Sequence, residues 1–182
     1  MTPKNKFSAE AALLGYLYQL RLALLLTLER DDEQVFIESL DDVALAKGDG
    51  QLELVQAKLH VKRAGSLSDR SPDLWKTLRV WSTLVKNGTV DLDQTTFRLV
   101  TSSVAPSGSA GEALRSAVSE TRDEARGLTL LRAAAAETSN GANLQAYQSF
   151  NNLSPEQQAR LIGKVEVLDA AESITDLKDR IL

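Results

Sequence analysis

The chain has 182 residues, 43% of them hydrophobic, which is enough for one domain with a substantial core and too little for two. It contains no cysteine and one histidine, His60. That excludes disulfides, thiolate zinc sites, a cysteine nucleophile and zinc sites needing two or three imidazoles, and it makes any Ser-His-Asp triad depend on His60. The net charge of −4 argues against a globally basic nucleic-acid binder. Charges beyond about 8 to 10 Å are screened in physiological salt, however, so local patches decide. From Lys58 to Lys86 the net charge is +5, and the acidic surplus lies elsewhere, at Glu29 to Glu33 and Glu120 to Glu124.

The first helix is expected from a Ser8 cap to about Glu29, apolar around most of its circumference and therefore buried. As a membrane span it falls short of about 20 clean apolar residues. It also carries Gln19 and Arg21, and a central arginine costs roughly 2.5 to 3.5 kcal/mol on insertion scales. The N-terminus has no secretory pattern, and the absence of cysteine fits a reducing compartment, so the expected location is cytoplasmic with no membrane partner.

Gln34 to Leu45 reads as a strand and Leu52 to His60 as its partner across a turn at Gly48-Asp49-Gly50. Ala64 to Ser71 is a polar loop. Ser71-Pro72-Asp73 then starts a helix with a cap, a proline at the first position and an acid against the dipole. Leu74, Trp75, Leu78, Trp81 and Leu84 carry that helix to Asn87-Gly88, with both tryptophans expected in the core. Thr96 to Val104 is a third strand and Ala105 to Gly111 a loop. Helices are expected over Glu112 to Thr121 and Arg122 to Thr138, followed by a break at Ser139 to Asn143 and a short helix near Leu144 to Asn151. Ser154-Pro155-Glu156-Gln157 opens another helix with a capping box. Lys164 to Leu168 is a fourth strand, and Ala170 to Leu182 a closing helix. Alternating strands and helices imply a layered α/β domain, a sheet covered by helices. The chain stops at the end of an expected helix, which suggests one domain, residues 1–182, of a longer protein.

Two segments carry chemistry. Residues two apart on a strand share a face, so Gln56 and Lys58 point together while Val55, Ala57 and Leu59 point the other way. Asp42 lies sixteen residues before Lys58, across the turn. Hydrolysing a phosphodiester needs a nucleophilic water and charge neutralisation, and Mg²⁺ (or Mn²⁺) supplies much of this from two or three protein oxygens. Asp42 and Gln56 can be two of them. Lys58 is placed to position or deprotonate water, or to neutralise the developing phosphorane. Glu38 shares strand parity with Asp42 and is expected to face the same cleft. Which of the adjacent Asp41 and Asp42 turns inward is left open by the sequence. Lys76 and Arg79, with Lys62 and Arg63 just before their helix, suit either sequence-independent phosphate contacts or a solvated charged face.

The set Gly15-Tyr16-x-Tyr18-Gln19, Ile37-Glu38-Ser39-x-Asp41-Asp42-Val43, Val55-Gln56-Ala57-Lys58 and Ser71-Pro72-Asp73-Leu74-Trp75-Lys76-Thr77-Leu78-Arg79 resembles the nuclease domain of the Cap-type endonuclease effectors of CBASS anti-phage systems. That group is a branch of the PD-(D/E)xK restriction-endonuclease-like superfamily, and the Gln-x-Lys variant is similar to Mrr-type restriction enzymes. The resemblance implies a restriction-endonuclease-like core, a mixed central β-sheet flanked by α-helices. It implies Mg²⁺-dependent cleavage of double-stranded DNA with low sequence specificity, unleashed by a sensor domain or partner protein, and such a role calls for restraint in the host and activation by homo-oligomerisation or by a partner. By the same resemblance Asp42, Gln56 and Lys58 form the metal and catalytic core, Glu38 and Asp41 are secondary acids, and Gln19 approaches the metal face. Where such proteins often carry a further basic or histidine pair after the lysine, this chain has Leu59-His60. The rival reading is a nuclease-like fold without catalysis, kept for partner binding or assembly; cleavage of RNA would use the same residues.

Overall fold

The computed structural model describes residues 9–30, 32–60, 65–137 and 141–172, together with 176, 178 and 181. The order of elements is α1 (Ala9–Glu29), β1 (Glu33–Ile37), β2 (Val43–Lys47), β3 (Leu52–Lys58), α2 (Pro72–Lys86), β4 (Thr95–Thr101), α3 (Ala110–Ala113), α4 (Glu124–Ala135), α5 (Leu144–Asn151), α6 (Pro155–Gly163) and β5 (Val165–Leu168). The protein is thus an α/β domain with a five-stranded mixed sheet in the order β1-β2-β3-β4-β5. Tight turns join β1, β2 and β3 into an antiparallel meander with Ile37 opposite Val43 and Val43 opposite Val55. The longer crossover through α2 makes β4 parallel to β3, with Gln56 beside Leu99, and β5 continues the parallel half.

Strand alternation sends two sets of side chains to two cores. Ala44, Leu54, Phe97, Leu99, Val165 and Val167 pack under α2, α4, α5 and α6, where Trp75 and Trp81 are fully buried, as their spacing predicts. Trp75 meets Tyr147 and Phe150 edge-on, and Trp81 tilts against Phe97. Val43, Leu45, Val55, Ala57 and Val100 face the other way onto Tyr18, Leu22, Leu25 and Leu26 of α1. Each buried valine, leucine and phenylalanine among these contributes about 1.5 to 3 kcal/mol of transfer free energy.

Four expectations are corrected. The segment Gln34 to Leu45 is two strands, because Glu38 adopts φ 54° and its N–H bonds the Asp42 carbonyl at 3.1 Å, folding the chain back. α1 is buried on one face only: Leu13, Tyr16, Leu17, Leu24 and Leu28 are exposed. By length and composition Ala12–Glu29 is apolar enough to cross a membrane, yet it lies on the sheet, where one flat neighbour covers one stripe of a helix. Helix from Glu112 to Thr121 is limited to α3, since Arg122 Nη1 binds the Arg115 carbonyl at 2.6 Å and the Asp123 N–H takes the Ala113 carbonyl at 2.8 Å. No helix begins at Ala170, which has φ 51° and donates its N–H to the Ser103 carbonyl. Of the closing segment, Asp176, Lys178 and Ile181 are described and helical. The Ser8 cap lies outside the described residues.

Candidate functional site

The turn from Glu38 to Asp42 brings two aspartates to the start of β2, beside the end of β3, and their backbone directions part them. Asp41 goes inward and is 7% exposed. Its Oδ2 accepts a hydrogen bond from Trp81 Nε1 of α2 at 2.6 Å, and its Oδ1 accepts from Gln56 Nε2 and from the Asp42 N–H. Burial lifts the Asp41 carboxyl to about 6, and the neighbouring Asp42 charge adds to this, while the bonds from Trp81 and Gln56 pull the other way. Asp42 is half-buried and turns towards the end of β3. Its Oδ2 accepts from the Ala57 N–H at 2.9 Å and lies 3.6 Å from Lys58 Nζ.

Gln56 and Lys58 share a face of β3, as the alternation predicts, and the two aspartates divide them: Asp41 with buried Gln56, Asp42 with Lys58. The link between the pairs is the Asp42 N–H on Asp41 Oδ1. Lys58 opens into a cleft of about 590 Å³ lined also by Gly15, Tyr16 and Gln19 of α1, by Glu38, His60 and Asp73, and by Lys76 of α2. Glu38 lines this cleft with Lys58, delivered by the turn rather than by the strand parity that pointed to it, whereas Asp42 and Gln56 are not among the residues that line it.

His60 Nε2 and Asp73 Oδ2 lie 2.6 Å apart, tying the end of β3 to the first turn of α2. The Ser71 side chain makes no cap bond to this helix. Lys76 is exposed on the cleft side, whereas Arg79 Nη1 donates to Gln145 Oε1 of α5 at 2.6 Å. Lys62 and Arg63 lie outside the described residues. Sequence reasoning placed Trp81 in the core and missed its polar contact; the signal was that a buried indole N–H normally needs an acceptor.

The donor chemistry fits a hard divalent cation. Asp42, Glu38 and Gln56 carry oxygen donors of the kind Mg²⁺ takes, and both observed contacts of the Asp42 carboxylate fall on Oδ2. Asp41 is different, because each of its oxygens already accepts a protein hydrogen bond. Compared with known proteins, the chain matches no family model and no curated protein.

Proposed function

We propose that the chain is a metal-dependent endonuclease domain that cleaves double-stranded DNA with low sequence specificity, an effector of bacterial anti-phage defence acting in the cytoplasm. The observation that carries this reading is the meeting of Asp42, Lys58 and the Asp41–Gln56 pair at one end of β3, beside an open cleft. An acid, an amide and an ammonium at this strand end would supply metal-binding oxygens and a positive charge to one phosphate. Asp42, Gln56 and Glu38 would hold Mg²⁺ or Mn²⁺, which supplies charge neutralisation and an activated water when bound. Lys58, held by Asp42, places its ammonium where negative charge develops on the phosphorane and orients a water by hydrogen bonding. Lys76 on the cleft rim suits a phosphate contact that positions a duplex without reading its sequence.

Incubation with plasmid and Mg²⁺, beside Lys58→Ala, tests the site: nicking by the parent and none by the variant is expected, and equal activity in both would sink it. A parallel incubation with structured RNA separates the two substrates.

A second reading, a catalytically inactive module used for assembly, is favoured by the exposed leucines of α1. Calorimetry with Mn²⁺ discriminates, since only the nuclease reading requires binding that depends on Asp42.

A further inference from the structure

A primary amide has two ends of nearly equal size and opposite chemistry: its oxygen can ligate a cation and its NH₂ cannot. A glutamine ligand therefore needs something that decides which end faces the metal. On β3, Gln56 is 6% exposed and its Nε2 donates to Oδ1 of Asp41, itself 7% exposed. Asp41 is fixed in turn by Trp81 Nε1 on Oδ2 at 2.6 Å and by the Asp42 N–H on Oδ1 at 3.1 Å. All three hydrogen bonds to this carboxylate come from N–H donors, so it serves as an acceptor and selects the NH₂ end of Gln56.

Building on the metal-site reading above, we propose that Asp41 is a positioning residue and not a ligand: anchored by Trp81, it holds Gln56 in the one amide orientation that leaves Oε1 for a divalent cation shared with Asp42. The same contact accounts for the neutral residue in Gln-x-Lys. A glutamate at position 56 would set a second carboxylate against Asp41 in a buried place, where like charges repel strongly and one of the two must take up a proton. Acid and amide form a complementary pair, and the complement can be exchanged. With Asp41→Asn and its oxygen kept on Trp81 Nε1, the new side-chain NH₂ faces both Gln56 and the Asp42 N–H: the Asp42 N–H loses its acceptor, and the Gln56 amide must rotate and present its own NH₂ to the cation. With Asp41→Asn and Gln56→Glu together, an amide at 41 again donates across the contact, its oxygen still accepts from Trp81, and position 56 again offers an oxygen to the metal.

The test is Mn²⁺ calorimetry on the whole chain at pH 7.5, with thermal unfolding measured in EDTA, for the parent, Asp42→Ala, Asp41→Asn, Gln56→Glu and the double variant. The expected result is Mn²⁺ binding by the parent that Asp42→Ala abolishes, a loss of about 10-fold or more in affinity for Asp41→Asn without a lower Tm, and a weakened, less stable Gln56→Glu. In the double variant, affinity should return to within about 3-fold of the parent, a recovery comparable to the loss. A double variant as weak as Asp41→Asn, or an Asp41→Asn that binds like the parent, overturns the positioning role while the Asp42-dependent metal site stands. A parent that binds no Mn²⁺ overturns both.

Discussion

Trp81 donates its indole N–H to Asp41 across 2.6 Å, so the turn preceding β2 is anchored to α2 through a buried carboxylate. The contact joins packing to chemistry: one face of the indole ring fills the core against Phe97, and its polar edge fixes the acid that meets Gln56.

Removing that donor is costly. Trp81→Phe leaves the buried Asp41 carboxylate short of one hydrogen bond, a loss on the order of 1 to 3 kcal/mol on top of lost packing. Urea unfolding of Trp81→Phe, alone and combined with Asp41→Asn, separates the two contributions. The substitution should cost less when position 41 carries no charge; equal costs in both backgrounds would show that the tryptophan acts through packing alone.

The pH dependence of stability has a definite sign. Asp41 titrates near 6 in the folded protein, above its ordinary value of 3.8. Folding therefore favours the protonated acid: this contribution is fully present below pH 3.8 and is lost as pH rises through about 6. Between pH 4.5 and 7.5 in EDTA the group should lower stability by about 2 kcal/mol. Asp41→Asn removes that slope while other groups titrate as before, so the difference between the two unfolding curves isolates it. Parallel curves across this range would place the carboxyl in a wetter setting than its burial implies.

Lys58 and Asp42 predict a contrast between activity and stability. Their side chains are 24% and 13% exposed and 3.6 Å apart, so the pair adds little to folding, about 1 kcal/mol or less after solvent screening. Lys58→Ala should leave Tm nearly unchanged while abolishing cleavage of plasmid in Mg²⁺. A variant that loses both in proportion would make Lys58 a structural residue.

The legible parts of the fold were those in which local chemistry and tertiary demand agree. Ser154 and Gln157 close their capping box as the Ser-Pro-Glu-Gln string requires, α5 spans Leu144 to Asn151, and the face shared by Gln56 and Lys58 follows from the period of a strand. The break at Glu38 was illegible because no glycine marks its left-handed backbone; the bond to the Asp42 carbonyl imposes it. The division of labour between Asp41 and Asp42 depends on Trp81, forty residues away. The sidedness of α1 was equally hidden, since leucines on both of its faces give no hint of which the sheet will cover.

That sidedness makes α1 a calibrated comparison. Leu22 is buried against the sheet and Leu17 and Leu24 are exposed. Leu22→Ala should cost about 2 to 5 kcal/mol through lost burial and the cavity left behind, whereas Leu17→Gln and Leu24→Gln should stay within about 0.5 kcal/mol of the parent. Chemical denaturation of the three variants at low protein concentration measures this directly. Comparable losses at all three positions would mean that the outer leucines are covered in solution.

Two basic residues of α2, Lys76 and Arg79, should separate in DNA binding. Lys76 is exposed on the cleft, while Arg79 spends its guanidinium on Gln145. Each phosphate contact contributes about 0.9 to the slope of log affinity against log salt, so Lys76→Ala should weaken duplex binding uniformly across sequences and flatten that slope by roughly 1. Arg79→Ala should change the slope little and instead loosen α5 from α2, because the bond it breaks joins those two helices. Fluorescence anisotropy with two unrelated duplexes over a salt series, using a Lys58→Ala background to prevent cleavage, reads both effects. A larger slope change for Arg79→Ala than for Lys76→Ala would move the DNA path away from the cleft and onto the α2–α5 side of the domain.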